Sequence, residues 1–206
     1  MPVPTDMSGL CGRAAGRREG RRPGVALYCY SRKVVGMWKT SSAPYLAPPA
    51  PGQPDAWTAQ TQGRGSQRIL EAGYVEASAE VAEALRLEPG AGVIRRTRLI
   101  LIDREPVEIV TSHYPSDLNG VHALAQPRPV RGGTVWLLAD LGWVAARAVE
   151  DVSAETATAD LGGHVPQSVP LLVTRRTLYT AADVPFEYTV MTAWDGRRQR
   201  YIMEVA

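Results

Sequence analysis

Cysteine is scarce in this sequence, and the N-terminal region has no long apolar run. The two cysteines, Cys11 and Cys29, form neither a disulfide framework nor the paired spacing of a metal site, which fits a reducing compartment. The longest apolar run of that region, Val25 to Tyr30, is far too short for a transmembrane helix or a signal-peptide core. The sequence therefore predicts a soluble, cytoplasmic protein without a membrane partner.

A strong charge of one sign is also missing, and so are the common catalytic motifs. The formal net charge is +2 at pH 7, which argues against a wholly basic nucleic-acid-binding protein. There is no nucleophile elbow, phosphate-binding glycine loop, HExxH pair or paired Cys or His set, and His113, His122 and His164 are scattered. We therefore predict no catalytic residue, no metal site, no cofactor and no enzyme activity.

The stretch from Val93 to Pro115 has the composition of a β-hairpin. Two arms rich in Val, Ile, Leu and Thr flank a polar turn, Asp103 to Pro106. Because side chains alternate across a strand, Arg96 and Arg98 are predicted to share one face. They could hold an anion between them, because arginine offers a planar fork to carboxylate or phosphate. The alternative is that both arginines are solvated or form a salt bridge with Glu108.

A second stretch near the C-terminus repeats this pattern. The matching residues are Arg95-Arg96-Thr97, Asp103 and Glu108 in the first copy, and Arg175-Arg176-Thr177, Asp183 and Glu187 in the second. Two copies predict a duplicated strand–helix–hairpin unit, with both units in one sheet and helices on one face, an α+β fold. In this match Arg98 aligns with Leu178, so we expect one functional pocket. The two glutamates, Glu108 and Glu187, would bind a ligand's hydroxyl groups or amine, or pair with neighbouring arginines.

Residues 1–65 differ in composition from the rest of the chain. Arginine and lysine dominate the charges of the first part, and the segment from Ala43 to Pro54 is mostly Ala and Pro. No amphipathic period is visible, so we predict a disordered arm followed by a linker. A basic arm can hold phosphate backbones electrostatically; the alternative is a solvated tail without a function.

Three helix starts are indicated in the remaining sequence. Ser78 is a predicted N-cap for a short helix. Thr134, which follows Gly132-Gly133, is the predicted N-cap of another, and free backbone N–H groups at such a start can seat an anion. Ser153 is predicted to cap a third helix that ends at Leu161.

From about Gln67 to Val205 the sequence resembles the UTRA effector domain of GntR-superfamily transcription regulators of the HutC subfamily. The resemblance is carried by five segments in order: QRILEAGYVEASAEVAEALRLEPGAGV, RRTRLILIDREPVEIVTSHYP, GGTVWLLADLGW, VTRRTLYTAADVPFEYTV and RRQRYIMEV. It implies a chorismate-lyase-like α+β fold with an antiparallel sheet. It also implies a small, anionic effector as the partner and a homodimer.

The resemblance carries site roles to a few positions only. Arg96 and Arg98 match the pair that grips an anionic group in relatives, Thr134 matches the small hydroxyl residue at the following helix start, and Glu187 matches the acidic residue of the second hairpin. With Glu108 added from the repeat, these five form the predicted ligand-binding set. Ala193 stands roughly where many relatives have an aromatic residue, which puts a sugar-type ligand in doubt.

The N-terminal part departs from the pattern of such regulators, which carry a winged helix-turn-helix of roughly 65 residues before the effector domain. No such module is recognisable in residues 1–65, so the predicted division is an arm and linker (1–65) and a UTRA domain (66–206). DNA would be bound only through a winged helix-turn-helix that this chain does not show. The alternatives are a solitary effector domain that modulates a full-length relative, a truncated or wrongly framed start, and a chorismate-lyase-like enzyme.

Overall fold

The computed structural model describes residues 38–40, 46, 53, 56–130, 132–157, 164–165, 168–194 and 196–201. The strands are β1 (Trp38–Thr40), β2 (Gly65–Glu76), β3 (Gly92–Ile102), β4 (Glu105–Pro115), β5 (Arg147–Thr156), β6 (Pro170–Tyr179), β7 (Pro185–Ala193) and β8 (Arg197–Gln199). The helices are α1 (Ala56–Thr61), α2 (Ala79–Leu85), α3 (Thr134–Asp140) and a 3-10 helix (Val121–Ala125).

Two of these elements, β1 and α1, fall inside the stretch 1–65 that the sequence predicts to be an arm and linker. The rest of the predicted arm lies largely outside the described residues. Helix α1 is ordered because Trp57 packs against a buried cluster that includes Ile102 and Val107. The hydrophobic contact of one tryptophan therefore extends regular structure upstream of the predicted domain start.

Six strands form one antiparallel sheet in the order β2-β3-β4-β7-β6-β5. Each half is a run of strands that are consecutive along the chain, and the halves meet at the β4–β7 pair. Strands β1 and β8 form a separate parallel pair. The α+β class and the antiparallel sheet are therefore confirmed.

The helices are divided between the two faces of the sheet. We call the side that carries the Arg96 side chain the Arg96 face. On this face Ile94 of β3 packs with Leu124 of the 3-10 helix. Its neighbour Val93 points to the opposite face, where it packs with Leu85 of α2. Both side chains are fully buried and need cover on both sides of the sheet, so the prediction that all helices lie on one face is wrong.

One predicted helix cap is confirmed and two are wrong. The Ser78 side chain accepts a hydrogen bond from the backbone N–H of Val81, as an N-cap does. For α3 the N-cap is Gly133 with φ 86°, a conformation that suits glycine, and Thr134 is the first helical residue. Ser153 lies within strand β5, because pairing with β6 extends that strand to Thr156. The rest of the third predicted helix lies largely outside the described residues.

The two hairpins differ in their turns. Asp103 and Arg104 alone connect β3 to β4, and both have positive φ (51° and 70°), as in a type I′ turn. Residues 180–184 connect β6 to β7, so the second turn is longer. A register shift follows Ile100 in the first hairpin and Leu178 in the second.

The strand register aligns the residues of the two hairpins differently from the sequence match. The cross-strand pairs next to the shifts are Ile100 with Glu108 and Leu178 with Glu187. Glu108 and Glu187 are therefore equivalent, as predicted. Arg98, two residues before Ile100, corresponds to Arg176, two residues before Leu178. The sequence match aligns Arg98 with Leu178 instead, which is two residues beyond Arg176. The duplication itself is not confirmed.

Candidate functional site

A row of buried polar residues crosses the centre of the sheet on the Arg96 face. The strand register aligns Arg96 with Ser112, Ser112 with Thr189, and Thr189 with Arg176. Arg96 is 2% exposed and Arg176 is 6% exposed, and the two hydroxyl residues between them are buried as well. We call these four residues the polar row. Because burying polar groups without hydrogen bonds is costly, the row must find partners.

The centre of the polar row is hydrogen-bonded to Glu187. The Ser112 and Thr189 hydroxyl groups lie 2.9 Å apart, and Thr189 donates to Glu187 Oε1 at 2.7 Å. Arg176 Nη2 also reaches Glu187 Oε1, but at 3.4 Å. Glu187 is itself buried. One carboxylate oxygen therefore serves two donors, and its contact with the arginine is the longer one.

Tyr114 is a buried phenol next to this network. It follows Ser112 by two residues on β4 and therefore faces the same side. Burial raises the pKa of Tyr114 above its ordinary value of 10.0, and the nearby Glu187 carboxylate raises it further. The phenol is thus neutral at neutral pH and can both donate and accept. Sequence reasoning missed this residue, although its alternation with Ser112 would have placed it on this face.

Arg96 holds the 3-10 helix and the segment after it against the sheet. Its Nη1 donates to the carbonyl oxygens of Leu124 at 3.2 Å and Gln126 at 2.8 Å, and its Nη2 donates to the carbonyl oxygen of Arg128 at 2.6 Å. Burial lowers the pKa of Arg96, and the neighbouring Arg98 lowers it further. We call this set of three bonds the Arg96 clasp.

Arg98 contrasts with Arg96 although both share one face of β3. It is half-buried, and its side chain forms no hydrogen bond or ion pair within the described part of the chain. Its Nε is buried without a partner there. Its cross-strand neighbours, Ile69 and Val110, are apolar. A half-buried guanidinium in such surroundings is well suited to bind a carboxylate or a phosphate.

Glu108 faces the same side of the sheet but lies apart from the polar row. It is four residues from Ser112 along β4, a separation of roughly 13 Å at the usual rise of a strand. Its Oε2 accepts a hydrogen bond from Arg197 Nη1; the Glu108 side chain is buried, and that of Arg197 is largely so. Of the two interpretations given for this residue, pairing with an arginine is the one that the structure shows. The arginine is on β8 and not on the hairpin.

A small cavity of about 10 Å³ lies beside Glu187, with room for about one water molecule. Its other walls include Val135 and Leu138 of α3 and the side chain of Trp143. The Trp143 indole Nε1 is buried without a hydrogen-bond partner among the described residues. Thr134 is half-buried, and it directly precedes Val135, which lines this cavity.

Most of this chain matches a known protein family. Residues 61–194, most of the chain, match the family model described as the UTRA domain. The chain belongs to the UTRA domain family. No curated protein is similar enough in sequence to count as a match to this UTRA domain.

Solved structures with the same fold come from several bacteria. The ligand-binding domain of a proposed GntR-family regulator from Bordetella bronchiseptica is 26% identical, with a TM-score of 0.57, and 68% of this chain and 92% of that chain are covered. The effector domain of PhnF from Mycobacterium smegmatis is 16% identical, with a TM-score of 0.62 and coverage of 77% and 99%. The C-terminal domain of YurK from Bacillus subtilis is 18% identical, with a TM-score of 0.58 and coverage of 65% and 92%. The chorismate-lyase-like fold class is thereby confirmed.

The UTRA domain brings only part of the predicted set together. Arg96 belongs to the polar row and Arg98 and Glu187 adjoin it, whereas Glu108 is paired with Arg197 farther along the sheet. The residues that sequence reasoning missed are Ser112, Tyr114, Arg176 and Thr189. In the described part of the chain no group of three or more His, Cys, Asp or Glu could hold a metal ion. No helix there is long and apolar enough to cross a membrane.

Proposed function

We propose that this UTRA domain binds a small, anionic effector on the Arg96 face and that binding controls a transcription regulator of the GntR family, HutC subfamily. The family assignment and the regulator domains that share the fold support this role. The observation that carries the proposal is Arg98, a half-buried guanidinium without a described partner beside the buried hydroxyl groups of the polar row.

In this proposal each predicted residue has a defined task. Arg98 binds the anionic group directly, and Arg96 binds it as well once the anion has drawn its guanidinium away from the clasp. Glu187 selects a hydroxyl or amine on the rest of the effector, and the Thr134 hydroxyl contributes from the side of α3. Glu108 is assigned to its ion pair with Arg197 and not to the effector.

The Arg96 clasp suggests how binding is transmitted. An anion close to Arg98 competes with three carbonyl groups for the guanidinium of Arg96, because hydrogen bonds between two charged groups are stronger than those to neutral carbonyls. Releasing the clasp frees the segment from Leu124 to Arg128 to move. The effector would thus shift the population between two arrangements of this segment, and a homodimer of the domain would pass the change to a DNA-binding module.

The test is a thermal-shift and calorimetric screen of the purified chain against small anions and uncharged metabolites. A ligand that binds only the folded state adds about 2.7 kcal/mol of stability at a hundredfold excess over its Kd. We expect an anionic ligand to bind the native chain and to lose at least tenfold in affinity with Arg98→Gln.

The matched control is Arg95→Gln, the same substitution on the same strand. Arg95 points to the opposite face, where it pairs with Glu71, so this variant loses an equal charge away from the polar row. If both variants lose affinity equally, the anion site is not at Arg98. If only uncharged metabolites bind, the proposed effector class is wrong. Turnover of an aromatic ether acid such as chorismate would contradict a role limited to binding.

A further inference from the structure

Arg176 is the most poorly satisfied buried cation of the polar row. It is 6% exposed, and its one hydrogen bond to a described residue is the 3.4 Å contact with Glu187. Its Nε is buried without a partner there. A guanidinium carries five N–H donors, and buried donors normally find acceptors. Most of the hydrogen-bonding capacity of Arg176 is therefore unused within the described part of the chain.

The nearby carboxylates do not neutralise Arg176 fully. Glu187 Oε1 is shared with Thr189, which lies closer to it at 2.7 Å. Glu150 stands opposite Arg176 in the register of β5 and β6, yet these two described residues form no ion pair. Instead, Glu150 Oε2 accepts a hydrogen bond from Tyr201 at 3.2 Å, and its Oε1 is buried without a described partner.

Arg98 and Arg176 occupy equivalent positions in the two hairpins and share the Arg96 face. Arg176 belongs to the polar row, and Arg98 lies two residues beyond Arg96 on β3, diagonal to Ser112. Two strands, β4 and β7, separate β3 from β6, so the two strands that carry the arginines lie roughly 14 Å apart. Long side chains extending from both strands can approach each other over the centre of the Arg96 face. This face thus carries two cations, with the Ser112 and Thr189 hydroxyl groups between their two strands.

We propose that the effector carries two anionic groups, one bound by Arg98 and the other by Arg176. This inference rests on the proposed function, since it concerns the same effector site. A compact dicarboxylic acid, or a carboxylic acid that also carries a phosphate, has the required chemistry. Arg176 is then a ligand-binding residue that sets specificity for the second anionic group.

The experiment compares probes that differ by one charge, with calorimetry on the full chain at constant ionic strength. The probes are succinate, glutarate and phosphoglycolate, the monoamide of each dicarboxylate, and inorganic phosphate. We expect at least one two-anion probe to bind the native chain at least tenfold more tightly than the matching one-anion probes. Arg176→Gln should remove this preference and leave the affinity for phosphate within about twofold, whereas Arg98→Gln should weaken both classes.

The control is Arg175→Gln, the same substitution at the adjacent residue, whose side chain pairs with Glu80 and Glu155 on the opposite face. It should leave the preference unchanged. Equal binding of dicarboxylates and their monoamides would overturn the second anion site but not the proposed function. Binding of no anion at all would overturn both. Because the probe comparison uses the native chain, it decides the question even if Arg176→Gln fails to fold.

Discussion

Replacing Arg96 by methionine tests whether this arginine serves the fold as well as the site. The substitution keeps a long side chain in a fully buried position and removes the three bonds of the Arg96 clasp. The carbonyl groups of Leu124, Gln126 and Arg128 then lose their donor. We expect the free energy of unfolding to fall, because the carbonyl group of the buried Leu124 is left without a donor and the other two lose a bond to a charged group.

The magnitude follows from two opposing contributions. Hydrogen bonds to a charged group contribute about 1.5–3 kcal/mol each, so three would give about 4.5–9 kcal/mol if they were additive. Removing the buried guanidinium charge offsets part of this lost stability, because burying that charge on folding costs several kcal/mol. We expect a net loss of about 3 kcal/mol, which corresponds to a fall in Tm of about 6–12 °C for a chain of this size.

Urea unfolding followed by circular dichroism measures this loss, and Arg98→Met is the matched control. Arg98 lies on the same face of the same strand but has no described partner, so its replacement should change stability by less than about 1 kcal/mol. Equal losses for the two variants would refute the distinction between a clasp and a free cation. So would a loss of less than about 1 kcal/mol for Arg96→Met.

Three further perturbations probe other parts of the domain. Arg197→Met leaves the buried Glu108 carboxylate without its described cation and should cost about 3–5 kcal/mol in urea unfolding, most of which the double variant with Glu108→Gln should recover. Ser78→Ala removes the N-cap bond of α2 and should cost about 1 kcal/mol in the same assay. The raised pKa of Tyr114 means that the folded state keeps this proton longer than the unfolded state, so its contribution to stability is complete below about pH 10 and is lost above it. Tyr114→Phe should reduce the fall in stability above that pH, and an unchanged pH profile would contradict the assignment.

The two-residue alternation of side chains along a strand was enough to predict which side chains share a face. Alternation placed Arg96 and Arg98 together, and the strand register confirms it. The equivalence of Glu108 and Glu187 was also predictable, because the two hairpins have similar sequences. What alternation cannot supply is the partner of each side chain.

Those partners are remote along the chain. The carbonyl groups that Arg96 binds are 28 to 32 residues away, and Arg197 is 89 residues from Glu108. The local pattern at Ser153 suited a helix cap, yet pairing with β6 made it part of a strand, since tertiary contacts override weak local preferences. Local sequence also locates a helix end only to within a residue or so, which is why the cap of α3 is Gly133 and not Thr134.

The contrast between two neighbouring arginines ties the fold to its site. Arg96 and Arg98 have the same chemistry and face the same side, but among the described contacts only Arg96 has its Nη groups bound to carbonyls. Arg96 has internal acceptors for both of its Nη groups, although its Nε is buried without a described partner, whereas a ligand-binding arginine needs acceptors that the protein does not provide. Arg176 meets this condition although it is more deeply buried than Arg98. The hydrogen bonding of the Nη groups, and not exposure, therefore separates Arg96, which holds the fold before an effector binds, from Arg98 and Arg176, which are available to the effector from the start.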